Sequence, residues 1–308
     1  MRVAALLLCV ICAAPFGGCD GQRSAARDPE IVVGSDGPAL LLRPASLKFA
    51  VIGDSGRWST EQRETAAELA RQRESFRFEF VLMLGDNNYG DGSPESYQHM
   101  FEEPFKPLLD AGVTFHAALG NHDAGPQWNY ALFNMGGHRY YTFERDAGVA
   151  PPLLGERVRF FAVDSVNLDD EQLSWLDQQL SRSKAGWKIV YLHHPLYSSG
   201  RYAFSSAVRR RTLEQTFIEH EVDVVFAGHE HLYERMAPQS GVMYFVNGAA
   251  GSVRTGDLRP STYQAKGYDR DLSFMLVEIA GDTLYFQAIT RTGEIIDSGK
   301  IIRRKSQS

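Results

Sequence analysis

Cysteine is scarce in this sequence. The chain has 308 residues, and its three cysteines all lie within the first 19, at Cys9, Cys12 and Cys19. From position 20 onward there is no thiol, so this stretch cannot form an internal disulfide or bind a metal through thiolate. Any metal site there must use oxygen and imidazole ligands. The chain is long enough to bury a core by packing alone.

Long apolar runs are also missing. Residues 3–16 are largely apolar but too short to span a bilayer, which takes about 20 residues. One basic residue, a short apolar centre and the small pair Gly17-Gly18 are typical of a secretory signal. Gly17-Gly18-Cys19 resembles a bacterial lipoprotein cleavage site, although Phe16 departs from its aliphatic preference. We predict a signal peptide over residues 1–19 and export to the periplasm or cell surface. Cys19 is either lipidated, as a membrane tether, or absent after plain secretion.

An excess of positive charge is the third absence. The formal net charge of -6 argues against general nucleic-acid binding, and no nucleic-acid partner is expected. The basic run at residues 209–211 lies in a helical pattern and is interpreted as a solvated face. Residues 303–305 are interpreted as a frayed terminus. Residues 20–46, rich in Gly, Ser, Pro, Arg and Asp, are predicted to form a linker or tether that ends in a short edge strand, and residues 47–304 one domain.

Strands and helices alternate through the first part of that domain. Apolar runs predict strands at residues 47–52, 78–84, 114–119, 139–143, 158–163, 187–192 and 222–227. Helices are predicted over residues 60–73, 94–109, 171–180 and 205–220. Four further strands are predicted at residues 242–246, 273–279, 284–289 and 294–301, with a tight turn at Gly281-Asp282. This order predicts an α/β fold with two stacked sheets and helices outside.

Five of these strands end in side chains that can bind metals. They are followed by Asp54, by Asp86 and Tyr89, by Asn121 and His122, by His193 and His194, and by His229 and His231. Open α/β sheets place their chemistry at the carboxyl ends of strands. Five such ends are hard to explain as independent turns, so we predict one shared site.

These segments resemble a known family. The blocks at residues 53–56, 85–89, 120–122, 190–193 and 228–231 match, in order and spacing, those of the calcineurin-like metallophosphoesterases. With a tyrosine at position 89, the second block resembles that of the purple acid phosphatase branch of this family. The resemblance covers about residues 47–235. It implies a four-layer sandwich of two mixed β-sheets with helices packed outside.

The resemblance also implies a ligand set for two metals. Asp54, Asp86, Tyr89 and His231 would bind the first metal, and Asp86 would bridge to a second held by Asn121, His193 and His229. An extended backbone at positions 229–231 would point both histidines the same way. A phenol with a pKa near 10 needs a strong Lewis acid to ionise, so Fe(III) is expected at Tyr89, with a coloured phenolate. The second metal is Zn, Fe(II) or Mn.

The implied reaction is hydrolysis of a small phosphate-ester substrate, with attack by a metal-bound hydroxide at mildly acidic pH. His122 is the expected proton donor to the leaving group. His194 holds the phosphate, shares that role or orients a neighbour. Asp123 orients His122 or caps a turn. The loop side chains Arg201 and Tyr202 either contact the substrate or, in the favoured interpretation, are exposed.

Three functions remain open from the sequence. The first is an exported phosphatase acting on phosphate monoesters, like an acid phosphatase. The second is a phosphodiesterase on the same scaffold, acting on cyclic nucleotides or phospholipid head groups. The third is a non-catalytic surface lipoprotein that binds metal or phosphate; a missing ligand would favour it, and none of the seven is missing.

Overall fold

A computed structural model describes residues 30–32, 40, 42, 46–147 and 157–303. The predicted signal peptide, Cys19 and most of the predicted linker lie outside these residues. The strands, in chain order, are β1 Glu30–Val32, β2 Leu47–Ile52, β3 Phe80–Met83, β4 Thr114–Ala117, β5 Tyr141–Asp146, β6 Arg157–Val163, β7 Trp187–Leu192, β8 Val224–Ala227, β9 Tyr233–Met236, β10 Met243–Asn247, β11 Gln264–Tyr268, β12 Ser273–Ala280, β13 Thr283–Thr290 and β14 Ile295–Ile302. The α-helices are α1 Thr60–Phe76, α2 Pro94–Tyr97, α3 Glu103–Asp110, α4 Asp170–Ser181 and α5 Ala203–Glu219.

The strands form two mixed sheets. The first sheet has the order β1-β14-β13-β12-β2-β3-β4, with β2, β3 and β4 parallel. The second has the order β11-β9-β10-β8-β7-β6-β5, with β10, β8, β7 and β6 parallel. The two parallel sections are the parts that carry the predicted site residues at their carboxyl ends. The predicted α/β class with two mixed sheets is confirmed.

Alternating side chains of the central strands build four layers. On β2, Phe49 and Val51 pack into the core between the sheets, whereas Ala50 and Ile52 pack towards α1 and α3. On β7, Ile189 and Tyr191 face the same inter-sheet core, whereas Val190 and Leu192 face α4 and α5. Successive side chains of a strand point to opposite faces, so a run that is apolar throughout must be covered on both sides. The helices therefore lie outside the two sheets, as predicted.

The predicted helix over residues 94–109 contains a π-helical segment, Gln98–Glu102, between α2 and α3. Pro104 has no N–H, so it cannot complete the usual bond to the carbonyl of Met100. The buried side chain of Gln62 donates to that carbonyl instead, at 2.6 Å. The helical region is thus interrupted where a proline removes a donor, and α1 supplies the replacement.

Some elements differ from the sequence-based prediction. The strands β9 and β11 were not predicted, because their short runs contain the charged residues Glu234, Arg235 and Lys266. The linker was predicted to end in a short edge strand, but its strand β1 lies earlier, at Glu30–Val32, and pairs with β14. Leu40 packs into the core beside α1. Within the described ranges, no helix combines the length and the apolar character that crossing a bilayer requires.

A buried ion pair joins the two sheets. Asp297 on β14 accepts from the Tyr233 hydroxyl at 2.7 Å and from Arg235 Nε at 2.7 Å, both on β9. All three residues are buried. Asp297 therefore satisfies a guanidinium that has no access to bulk water.

We predict that Asp297→Ala lowers the free energy of unfolding by about 3–5 kcal/mol, because Arg235 is left buried and unpaired. Chemical denaturation measures this change. The control is Tyr233→Phe, which removes one hydrogen bond and should cost about 1 kcal/mol. Equal, small losses in the two variants would contradict the importance of the charge pair.

Candidate metal centre

The predicted site residues meet where the parallel strands of both sheets end. Asp54, Asp86 and Asn121 follow β2, β3 and β4 of the first sheet. His193 and His229 follow β7 and β8 of the second. The carboxyl ends of adjacent parallel strands lie at the same edge, so each sheet brings its own ligands together. The packing of one sheet on the other closes the site.

The backbone at the site is constrained. Asp54, Asp86 and His229 have φ angles of 55°, 52° and 70°, in the left-handed region that is costly for residues with a Cβ. A Cβ on Gly120 would collide with the backbone N of Asp86, so the β3 and β4 loops can approach only with glycine there. This close packing turns the side chains of the strand-end residues inward.

One group of donors surrounds the Tyr89 hydroxyl. The hydroxyl donates to Asp86 Oδ2 at 2.8 Å and lies 3.4 Å from Asp54 Oδ1. His231 Nε2 lies 3.2 Å from the same hydroxyl and 3.3 Å from Asp54 Oδ1. Two carboxylate oxygens, one phenol and one imidazole thus converge, as the first predicted metal requires.

A second group surrounds His193 Nε2. It lies 3.4 Å from Asp86 Oδ1, 3.0 Å from Asn121 Oδ1 and 3.2 Å from His229 Nδ1. The His193 Nδ1–H donates to the Leu84 carbonyl at 3.0 Å, which leaves Nε2 free to act as a ligand. These donors are the ones predicted for the second metal.

Asp86 belongs to both groups. Its Oδ2 faces Tyr89 and its Oδ1 faces His193, so its two oxygens point to two neighbouring positions. A carboxylate in this arrangement can bridge two cations. The donors are oxygen and imidazole nitrogen throughout, which suits iron, zinc or manganese. The residues present therefore fit a dinuclear metal centre.

The two histidines of the last block reach the site differently from the prediction. An extended backbone was expected to point them the same way, but the positive φ of His229 places it in a turn. His229 lies in the group around His193, and His231 in the group around Tyr89. The extended geometry was wrong. Their assignment to different metals agrees with where they lie.

Burial shifts the pKa values of the ligands. Burial raises the pKa of Asp54 to about 8, with the charge of Asp86 acting in the same direction. Burial lowers the pKa values of His229 and His231 to about 3. Tyr89 has its pKa raised above the usual value by burial and by the charges of Asp54 and Asp86. Without cations the carboxyl and phenol thus retain protons, which a bound cation would displace.

The predicted proton donor lies at the exposed side of this cluster. The backbone N of His122 donates to Asp86 Oδ1 at 2.9 Å, and the exposed His122 ring lies 4.8 Å from the Tyr89 ring. The Asp123 carboxylate accepts from the backbone N of Asn87, Asn88 and Gly120 at 2.7–3.0 Å. Asp123 therefore links the loop after β3 to the loop after β4. The sequence left open whether Asp123 orients His122 or caps a turn, and these contacts favour capping.

His194 is buried beside the second group. Its ring lies 4.4 Å from the His229 ring, and its Nδ1 lies 3.2 Å from Ser165 Oγ. Ser165 Oγ also accepts from the backbone N of His194 at 2.8 Å. Burial and the charge of His193 hold the pKa of His194 well below its usual range. A neutral imidazole in this position favours the orienting role over proton donation.

A model of the calcineurin-like phosphoesterase family matches residues 47–233, more than half of the chain. The chain belongs to this family. It is therefore a hydrolase that acts on phosphate esters, and the resemblance found in the sequence is confirmed.

Purple acid phosphatases are among the relatives of this phosphoesterase. The chain is 25% identical to tartrate-resistant acid phosphatase type 5 of Rattus norvegicus over 312 residues, which covers 85% of this chain and 92% of the relative. It is 28% identical over 221 residues to Fe(3+)-Zn(2+) purple acid phosphatase 12 of Arabidopsis thaliana, covering 65% of this chain and 46% of the relative. A solved structure of GAP50, the anchor in the inner membrane complex of Plasmodium, has a TM-score of 0.74 at 20% identity, covering 85% of this chain and 90% of that chain. That likeness shows the fold alone.

Several residues beside the phosphoesterase site were missed or misread. Tyr202 is exposed, as interpreted from the sequence, but the contact of its ring with the His229 ring at 4.9 Å was not predicted. Arg209 was interpreted as solvated, yet it is half-buried and its charge helps to lower the pKa of His194. Arg210 lies 4.8 Å from the Tyr197 ring, so only Arg211 of that run is fully exposed. Ser252 Oγ lies 2.6 Å from His231 Nδ1 and orients that ring. These contacts join residues that are far apart in sequence, and no local sequence pattern predicts them.

We predict that the affinity of the metal-free phosphoesterase for Zn²⁺ rises between pH 6.5 and 8. Asp54, with its pKa of about 8, must release a proton on binding, whereas His229 and His231 are already neutral in this range. The expected slope is about tenfold per pH unit for each displaced proton. Competition with a chromogenic chelator measures the affinity.

The matched control is Asp110→Asn, because Asp110 is an exposed carboxylate paired with Lys106. This variant should keep the slope of the wild type. An affinity that does not change over the range would show that Zn²⁺ displaces no proton from Asp54.

Proposed function

We propose that this phosphoesterase is an exported acid phosphatase that hydrolyses phosphate monoesters at a dinuclear centre of Fe(III) with Zn, Fe(II) or Mn. The single observation that supports the proposal most is the position of Asp86 between two complete donor groups. Export is proposed from the signal-like sequence of residues 1–19, with Cys19 as the site of a lipid tether.

The donors around Tyr89 support trivalent iron at the first position. Its phenol lies between two carboxylates, which oppose ionisation of the hydroxyl. A strong Lewis acid is needed to overcome this. The name of the Arabidopsis relative, an Fe(3+)-Zn(2+) phosphatase, supports the same metal pair. Such a pair would neutralise the phosphate oxygens and lower the pKa of a coordinated water, so that activity is expected at mildly acidic pH.

The protein's own groups would supply position and protons. Leu84 O and Ser252 Oγ hold the rings of His193 and His231 in place. His122, exposed beside Tyr89, is placed to donate a proton to the leaving oxygen. His194 is held by Ser165 and packs on His229, so we assign it the role of orienting that ring.

Replacing Tyr89 with Phe tests the iron assignment. The purified protein should show a broad visible absorption band that disappears in Tyr89→Phe, because only a phenolate ligand produces the charge-transfer transition. Tyr202→Phe is the control, since this tyrosine contacts His229 but not the carboxylates. Visible spectra are recorded beside metal analysis. A colourless wild type that is active with zinc alone would refute the assignment.

His122→Asn tests the proposed proton donor. A poor leaving group needs a proton, so kcat for phenyl phosphate should fall by about 10²–10³-fold. Hydrolysis of p-nitrophenyl phosphate should fall much less, because its leaving group is stable without a proton. His138→Asn, an exposed histidine outside the cluster, is the control.

The same assay distinguishes the alternatives. Equal losses on the two monoesters would mean that His122 does not protonate the leaving group. Faster hydrolysis of bis(p-nitrophenyl) phosphate than of the monoester would favour the phosphodiesterase. If no substrate is turned over with Zn, Fe(II) or Mn as the second metal, the result would favour the non-catalytic binding protein.

A further inference from the structure

Two arginines that the proposed chemistry does not use lie beside the Tyr89 group. Arg57 Cζ lies 4.0 Å from the centre of the Tyr89 ring. Arg254 donates its backbone N–H to the His231 carbonyl at 3.0 Å, and its Cζ lies 5.5 Å from the Tyr202 ring. Both side chains therefore border the metal-ligand cluster, Arg57 on the Tyr89 ring and Arg254 near Tyr202, whose ring lies 4.9 Å from the His229 ring.

The loops that carry them are in contact. A Cβ placed on Gly251 would lie 3.2 Å from Arg57 Cγ, so the loop after β2 and the loop after β10 pass side by side. Arg57 comes from the first loop and Arg254 from the second. Two arginines from distant parts of the chain are thus carried by neighbouring loops.

Each guanidinium has one buried N–H donor that finds no acceptor among the residues that the structure describes. These donors are Arg57 Nε and Arg254 Nη1. Among residues 46–147 and 157–303, no carboxylate forms a salt bridge with either side chain, although arginines elsewhere in the fold have such partners. Buried N–H donors without an acceptor are unfavourable, and native proteins rarely leave them so. These donors are available to an external anion.

We propose that Arg57 and Arg254 form a subsite for a second phosphoryl group of the substrate, so that the enzyme binds diphosphate groups more tightly than single phosphates. The inference rests on the proposed function, in which the first phosphoryl group lies at the metal-ligand cluster. A terminal phosphoryl group carries up to two negative charges and three oxygens. It therefore matches two guanidinium groups, whose planar forks bind phosphate through paired hydrogen bonds.

Binding of two non-hydrolysable probes tests the subsite. Isothermal titration of the metal-loaded protein compares methylenediphosphonate with methylphosphonate, and metal content is measured again after each titration. The wild type should bind the diphosphonate about 10–100-fold more tightly. In Arg57→Gln and in Arg254→Gln, the ratio of the two affinities should fall about tenfold, because one charge-assisted contact is lost.

Two controls separate the subsite from general effects. Arg211→Gln removes the same charge from an exposed position on α5 and should leave the ratio unchanged. Arg57→Lys and Arg254→Lys keep the charge but lose the fork, and should retain part of the preference. Thermal unfolding of each variant checks that the fold is intact.

Equal affinity of the wild type for the two probes would overturn the proposal. So would a variant that weakens both probes by the same factor, because the arginines would then bind the reacting phosphate itself. The proposed function is tested separately, by turnover of p-nitrophenyl phosphate by the same wild-type protein. The titration needs no turnover, so its result stands whether or not that assay succeeds.

Discussion

The structure depends on one carboxylate, Asp86, which offers an oxygen to each of two donor groups. To do so, its side chain must lie between the ends of the two sheets, in a position that the loop after β3 determines. The His122 backbone N–H holds Oδ1, and the Tyr89 hydroxyl holds Oδ2. The positive φ of Asp86 and the close approach of Gly120 then follow as requirements of that position. The four-layer architecture fixes the position of the Asp86 side chain, because the two stacked sheets supply donors from both sides of it.

Burial of this much polarity is unfavourable without cations. Asp54 and Asp86 lie in one buried site, and burial together with the charge of Asp86 raises the pKa of Asp54, so that two ionised carboxylates are disfavoured there. The protein tolerates this through a large apolar core on both faces of each sheet. Bound cations would offset this unfavourable burial. Ligands that are already held in place also lose little conformational freedom when they bind a metal. The same logic extends to Arg57 and Arg254, which keep buried donors without protein acceptors.

Much of the fold and the ligand set could be predicted, because both are local in sequence. Apolar runs such as residues 47–52 and 187–192 are strands at those positions, and the donor after each run lies in the site. Predictions failed where the backbone conformation or the environment of a residue depends on contacts with residues that are remote in sequence. His229 was expected in an extended backbone, but the turn that brings it to His193 depends on packing against the first sheet. Arg209 was expected in solvent but is half-buried, and its charge acts on His194. Tyr202 is exposed as expected, but its contact with the His229 ring depends on where the fold places its loop.

The sequence by itself determined the alternation of strands and helices, the identity of the seven donors and the exclusion of thiolate ligands from residues 20–308. These follow from the order of side chains and from how a chain with that order buries its apolar faces. The tertiary structure decided which of these donors lie together and that Asp123 ties loops together. It also decided that Arg57 and Arg254 are carried by neighbouring loops beside the donors. Those outcomes depend on distances between residues up to about 200 positions apart, which only the packing of one sheet on the other can set.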